Sequence, residues 1–225
     1  MILLVTDTSG RNGTVALACA AGPDSSDFKL LETASLSGGA FSAQLVPQIA
    51  ILLANNGFTK NDIDGFIVVS GPGSFTGLRV GLAAIKALAE ILQKPIVAVS
   101  LLEALALSSG AQGKVTSTLD AGRGDVYVGE YLLDGESAQV AAETLFARDA
   151  FLKSADQRTL VTADQSLAEL ARSAGHSVST VDPVTVEAIA RLGWRKLQAG
   201  QVILPEQLEA NYVRRDSEIF AKSGS

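Results

Sequence analysis

A chain of 225 residues is long enough for one large domain or for two small lobes with cores of their own. Almost half of its residues are apolar but only 5% are aromatic, so the core must be aliphatic and alanine-rich. With 18 Lys and Arg against 24 Asp and Glu, and no basic run denser than Arg214-Arg215, the balance argues against a self-sufficient nucleic-acid binder.

The single cysteine, Cys19, excludes an intrachain disulfide and a cysteine metal cluster. It lies in the apolar run Val15 to Ala20 and reads as a buried structural thiol. The single histidine, His176, excludes histidine-pair metal sites, and its Gly175-His176-Ser177 setting reads as an exposed turn. No basic stretch precedes an apolar N-terminal run, and no apolar run reaches membrane-spanning length. The expectation is a soluble cytoplasmic protein with no membrane partner.

In chain order, Ile2 to Val5 predicts a short strand ending at Asp7. A turn with the hairpin dipeptide Asn12-Gly13 follows, and Thr14 to Ala20 predicts the returning strand. A third strand, about Phe28 to Ser35, comes after the polar turn at Gly22-Pro23-Asp24. Phe41 to Asn55 predicts a helix with Pro47 near its first turns, and no charged residue occurs from Thr33 through Thr59. The apolar run Phe66 to Val69 predicts a strand that ends in a Gly-Pro-Gly turn and opens a second helix, to about Leu92. That helix carries only Arg79, Lys86 and Glu90 as charges. Ile96 to Val99 predicts a strand, and Ser100 and Glu103 predict a capped helix to Leu107.

The second half opens like the first. Val115 to Leu119 ends at Asp120, the turn Ala121-Gly122-Arg123-Gly124-Asp125 follows, and Val126 to Leu132 returns. Two strand–Asp–glycine-turn hairpins half a chain apart indicate duplicated lobes. Further strands are expected at 143–146, 159–161 and 178–181, with helices at 148–154 and 163–174. Pro183 is expected to start an amphipathic helix, Val184 to Ala199, closed by Gly200. The charged tail, Pro205 to Ser225, is expected to fray. No low-complexity linker separates the halves, so a shared interface is expected between them.

The stretch Gly71-Pro72-Gly73-Ser74-Phe75-Thr76-Gly77 holds three glycines in seven residues, the pattern of a loop whose backbone approaches something closely. Ser74 or Thr76 can cap the helix start. The Walker spacing is not met, because Leu78-Arg79 follows Gly77, and Thr76 stands where a Rossmann loop has its third glycine. Spacing alone leaves phosphate contact and close packing open. The two neighbouring helices tilt the balance to packing, since neither has the charged face of a surface helix. For two such helices in succession, cover by a protein partner is the favoured reading over burial in the chain's own core.

Catalytic groups are scarce. There is no Cys/His pair and no serine with a plausible base, and the symmetric carboxylates are Asp7 and Asp120. They could hold a nucleotide's metal–phosphate. Taken singly, each is better explained as capping its own turn.

The runs Leu4-Val5-Thr6-Asp7-Thr8-Ser9, Gly71 through Gly81, Ala98 through Ala106 and Asp120-Ala121-Gly122-Arg123-Gly124-Asp125-Val126-Tyr127 resemble those of the TsaB (YeaZ) family. The likeness covers most of the first half and touches the second at two points. It implies an α/β fold of the actin/sugar-kinase/Hsp70 (ASKHA) type, with two related lobes of mixed β-sheet flanked by helices. The lobes are expected at 1–107, with dimerisation helices at about 41–56 and 77–92, and at 108–225, whose tail is expected to pack back on the first.

The resemblance also implies a non-catalytic partner subunit that dimerises with and activates a TsaD-like paralogue. That pair makes N6-threonylcarbamoyladenosine beside the tRNA anticodon, completed by a small TsaE-like ATPase. A homodimer is implied for the isolated chain, tRNA is met only through the complex, and ATP or ADP is implied only at the level of the complex. The implied interface residues are Leu45, Gln48, Ile49, Leu52, Phe75, Arg79, Val80, Gly81, Ala83, Ala84 and Ala87. A stand-alone ATP-binding enzyme of the same fold is the alternative, and a peptidase is disfavoured. Three motifs depart from the family pattern. Ala40-Phe41-Ser42-Ala43-Gln44 replaces a Ser-His-Ser stretch, Asp120-Ala121-Gly122-Arg123-Gly124 replaces Asp-Ala-Arg-Arg-Gly, and Ala210-Asn211-Tyr212-Val213-Arg214 replaces Pro-x-Tyr-Leu-Arg.

Overall fold

The structure, a computed structural model, describes residues 1–22, 28–154, 159–211 and 213. Ten strands and six helices run in the order β1 (Ile2–Asp7), β2 (Gly13–Ala20), β3 (Phe28–Leu36), α1 (Phe41–Asn55), β4 (Ile63–Gly71), α2 (Phe75–Leu92), β5 (Ile96–Ser100), α3 (Leu101–Ser108), β6 (Gly113–Gly122), β7 (Asp125–Asp134), β8 (Ser137–Ala147), α4 (Arg148–Ser154), β9 (Thr159–Thr162), α5 (Gln165–Ser173), β10 (Ser177–Thr180) and α6 (Val186–Gln198). Short 3₁₀ turns sit at Lys60–Asp62 and Pro205–Gln207. The Gly22-Pro23-Asp24 turn lies mostly outside the described residues, as do Tyr212 and the tail from Arg214 onward.

The chain divides into two compact units. The first, Met1–Leu101 with Thr185–Asn211, holds a five-stranded sheet in the order β3-β2-β1-β4-β5. Strands β1, β2 and β3 pair antiparallel, while β4 and β5 join in parallel. Ile2 to Val5 of β1 and Phe66 to Val69 of β4 are unbroken apolar runs because helices cover both faces of the sheet. One face packs under α1 and α2, with Leu4, Leu17, Phe66 and Val68 meeting Leu45, Ile49, Leu78 and Ile85. The other receives α6 through Ile189, Ala190 and Trp194, and a Cβ on Gly193 would lie 2.8 Å from side-chain atoms of Ile67.

The last helix therefore belongs with the first unit, a correction to the boundary at residue 108. A two-faced sheet needs a second cover, and the amphipathic stripe of α6 supplies it. The segment after α6 stays with the same unit, where Ile203 bridges to Ile96 and Leu208 is buried.

The second unit, from Leu102 to Val184 in its described part, repeats the plan with the order β10-β9-β6-β7-β8. Its antiparallel β6-β7-β8 corresponds to β1-β2-β3, and its parallel β9 and β10 to β4 and β5. Leu102 and Leu105 of α3 cover Val115, Tyr131 and Val161 on one face, while Phe151 and Leu167 of α4 and α5 cover Val126, Val128 and Leu160 on the other. The duplicated hairpins of the sequence are thus the central hairpins of two like-wound sheets.

Several local expectations shift. β8 extends over 11 residues, not four. The α6 start moves from Pro183 to Thr185, whose hydroxyl accepts the Ala188 N–H. The β1–β2 connection keeps its expected place, with Asp7 pairing with Thr14 across the Thr8–Gly13 turn, and Asn12 has a negative φ. Its counterpart in the second unit is the tight one, with Arg123 at φ 57° and Gly124 at φ 83°, both left-handed as a type I′ hairpin turn requires. Cys19 is half-buried against the first core, with a free thiol. His176 is also half-buried, with Nε2 donating to the Leu152 carbonyl at 2.7 Å.

Two substitutions test this packing. A Cβ at Gly81 collides with the Thr8 hydroxyl and lies 3.1 Å from Thr8 Cγ2. Gly81→Ala should lower stability by about 1–3 kcal/mol in urea titration. Asp164 caps α5, accepting the Leu167 N–H at 3.0 Å and then the Ser166 hydroxyl at 2.8 Å, and these bonds hold its pKa below the ordinary aspartate value. A lowered native pKa gives stability that is present above the unfolded-state value and lost as pH falls through the native one. Asp164→Ala should cost about 1 kcal/mol at neutral pH, and the gap to the parent should close as the pH falls into the acid carboxylate range.

Candidate functional site

The glycine-rich loop leaves β4 at Gly71 and enters α2 at Phe75. Gly71 takes φ +133°, and a Cβ there would lie 3.1 Å from the Asn211 carbonyl oxygen. A Cβ on Gly73 would come within 2.7 Å of Ser9 Cβ, and one on Gly77 would collide with the Thr8 carbonyl and touch the Phe41 ring at 3.0 Å. With Gly81 against the Thr8 hydroxyl, three glycines seat the loop and the first turns of α2 on the Thr8–Ser9 turn after β1.

One amide of the loop bonds to that seat, and two at the start of α2 bond back to Ser74. The Ser74 N–H donates to the Ser9 carbonyl at 2.6 Å, the Leu78 N–H donates to the Ser74 carbonyl at 2.9 Å, and the Gly77 N–H donates to Ser74 Oγ at 3.2 Å. Ser74 is the helix cap, and Thr76 is an exposed residue of the first turn. Pro72 is buried and bound to Gly71 by a cis peptide. The close-packing reading of the loop is the one its geometry supports.

The two aspartates follow the turn-capping reading unequally. Asp7 Oδ1 accepts both the Ser9 N–H at 2.8 Å and the Ser9 hydroxyl at 2.6 Å, which fixes the turn that the glycines rest on. Asp120 is exposed near the end of β6, paired across the hairpin with Val126 in the second unit. Among the described residues no group of three or more His, Cys, Asp or Glu side chains converges as metal ligands.

The surface worth attention is the outer side of α1 and α2, which pack side by side over the first sheet. Here the expected interface list needs correction. Leu45, Ile49 and Leu52 are at most 5% exposed and, with Gly81, face the chain's own core. In α1 the stripe Phe41, Leu45, Ile49, Leu52 and Leu53 has helical period and marks the inner face. Gln48, Val80 and Ala84 are half-buried at the flanks. Phe75, Arg79, Ala83 and Ala87 are exposed.

Residues absent from that list complete the outer face. Val46 (53% exposed) and Ile51 (48%) stand out from α1, and Ile91 (72%) extends the four-residue spacing Phe75, Arg79, Ala83, Ala87 along α2. The sequence signal for them was the phase of the helix: in a helix that is apolar all round, the residues opposite the longest-chain stripe are the outer ones. At one end the Arg79 guanidinium stacks on the Phe75 ring, 3.6 Å from its centroid.

The family model described as "TsaD: tRNA N6-adenosine threonylcarbamoyltransferase" matches residues 35–189. Among curated proteins, a tRNA threonylcarbamoyladenosine biosynthesis protein TsaB from Bacillus subtilis is 35% identical over 132 residues, which cover 58% of this chain and 55% of that protein. The protein of the same name from Escherichia coli is 31% identical over 104 residues, 45% of each chain. The chain thus spans about half the length of the curated relatives it matches. Among solved structures, YeaZ from Pseudomonas aeruginosa superposes with a TM-score of 0.73 at 24% identity, over 94% of this chain and 99% of that one, a likeness of fold.

The Asp7 turn gives a direct test. Asp7→Asn keeps an oxygen acceptor for both Ser9 donors and should stay within about 0.5 kcal/mol of the parent. Asp7→Ala leaves those donors unsatisfied and should cost about 1–3 kcal/mol by thermal or urea unfolding.

Proposed function

This chain belongs to the family of the tRNA N6-adenosine threonylcarbamoyltransferase model, in its TsaB (YeaZ) group, and from that premise we propose that it is a non-catalytic subunit of the threonylcarbamoyladenosine machinery. In this reading it docks on a TsaD-like paralogue through the outer face of α1 and α2 and holds that paralogue in its active form. A TsaE-like ATPase completes the assembly, and tRNA is engaged by the assembly as a whole. In isolation, the same face is used between two copies of this chain.

The observation that carries the proposal is the exposed, nearly chargeless face itself. α1 contains no ionisable residue, yet Val46 and Ile51 project from it, and α2 presents Phe75, Ala83, Ala87 and Ile91 beside a single stacked arginine. An exposed apolar face on two adjacent helices is characteristic of a partner surface. Small side chains let a partner helix approach closely, and an aromatic–arginine pair is the usual composition of an energetic anchor. The scarcity of acid–base groups fits a role in which chemistry is left to the partner. The single histidine is tied to the Leu152 carbonyl, and Asp7 is consumed by its own turn.

The outer residues test the docking surface without disturbing the core. Ala83→Glu and Ala87→Glu each place a carboxylate on the exposed side of α2. Each should weaken association with the paralogue by at least about 100-fold, with unchanged circular dichroism and melting temperature. Threonylcarbamoyladenosine formation by the reconstituted system should fall in parallel. Normal association and normal modification by both variants would falsify the docking surface.

A further inference from the structure

After α6 the chain does not return to solvent but runs back along α2. The Ile203 N–H donates to the Ile96 carbonyl at 2.9 Å, on the edge strand of the first sheet. The Pro205–Gln207 turn follows, braced by the Leu204 N–H donating to Gln207 Oε1 at 3.0 Å, and the Lys86 ammonium reaches the Glu206 carbonyl at 3.4 Å. Leu208 then enters the first core, at 4% exposure, beside the half-buried Ala210. Finally the Asn211 N–H donates to the Ser70 carbonyl at 2.7 Å, and its own carbonyl lies against Gly71.

This segment therefore touches the neighbourhood of both ends of α2: the edge strand that follows the helix and the glycine loop that precedes it. Between its anchors it is not sealed down. An open groove of about 600 Å³ lies between it and the helix, bordered by Lys86, Gln93, Pro95, Val202, Leu204 and Glu206. A segment fixed at separate points above an open groove can lift without dismantling the sheet beneath.

We propose that residues 201–211 act as a latch on the glycine loop, seating Ser70 and Gly71 at its start and so setting the position from which α2 presents its outer face. The latch rests on the docking role assigned to that face, which it would regulate. Latched, the loop holds the Thr8–Ser9 turn and α2 is fixed for docking. Unlatched, the Ser70–Asn211 bond is lost and the start of α2 loosens.

Hydrogen exchange on the full-length chain alone separates the latch from the docking role. In Leu208→Ala, the amides of Ser74, Gly77 and Leu78 should exchange about tenfold faster relative to those of β1 and β4. Ile203→Pro, which removes the edge-strand hydrogen bond with less loss of core, should shift the same amides in the same direction and covers the case in which Leu208→Ala does not fold. Both variants should also weaken binding to the paralogue. Unchanged exchange ratios at Ser74, Gly77 and Leu78 in the folded variants would overturn the latch, whatever the binding result. Faster exchange with parental binding would overturn its control of docking. Loss of docking in Ala83→Glu bears on the surface alone, so the two ideas fail separately.

Discussion

The structure of the first unit hangs on one close approach, that of α2 to the Thr8–Ser9 turn. Gly73, Gly77 and Gly81 face that turn at distances that leave no room for a Cβ, and the Ser74 N–H is bonded to the Ser9 carbonyl. Close-packed interiors tolerate little added volume, so such an approach fixes residue identity more tightly than any single apolar contact. Asp7 belongs to the same arrangement. By holding Ser9 with two bonds it gives the glycines a rigid surface to rest on. Much that resembles a ligand-binding motif is spent on seating one helix.

That seating explains how an apolar helix can be kept at the surface. α2 is held from below by its glycines and by Leu78, Leu82 and Ile85, so its outer side needs no charges for orientation. The amphipathic helices behave differently. α5 and α6 alternate buried apolar residues with exposed charged ones, including the exposed Glu187–Arg191 pair at 2.9 Å on α6. One chain therefore contains two kinds of surface helix. The α1–α2 pair leaves its outer side largely apolar, as the docking role proposed for it requires.

The elements of the fold were legible in the sequence because its signals are local and redundant. The α1 bounds follow from the uncharged run, a Pro that tolerates the early turns and the Asn55-Asn56-Gly57 stop. The duplication follows from two Asp-then-glycine hairpins. What the sequence did not disclose is non-local. Nothing in the amphipathic stripe of α6 says which sheet it covers, and the chain passes through the whole second unit before supplying that cover to the first. Four residues of the interface list, Leu45, Ile49, Leu52 and Gly81, turn out to be buried in the chain itself for a related reason. In helices apolar all round, composition announces burial of some kind, but only the phase relative to the sheet separates Leu45 and Ile49 from Val46 and Ile51.

The duplication sharpens what is distinctive about each half. Both sheets have the same winding, so the shared topology supplies two equivalent hairpin turns, one after β1 and one after β6. The second became a tight type I′ turn through Arg123 and Gly124, with Asp120 left exposed. The first was lengthened, and its aspartate was turned inward on Ser9 to support a helix. The unequal fate of two equivalent turns fits the docking role proposed for the α1–α2 surface that the first turn supports.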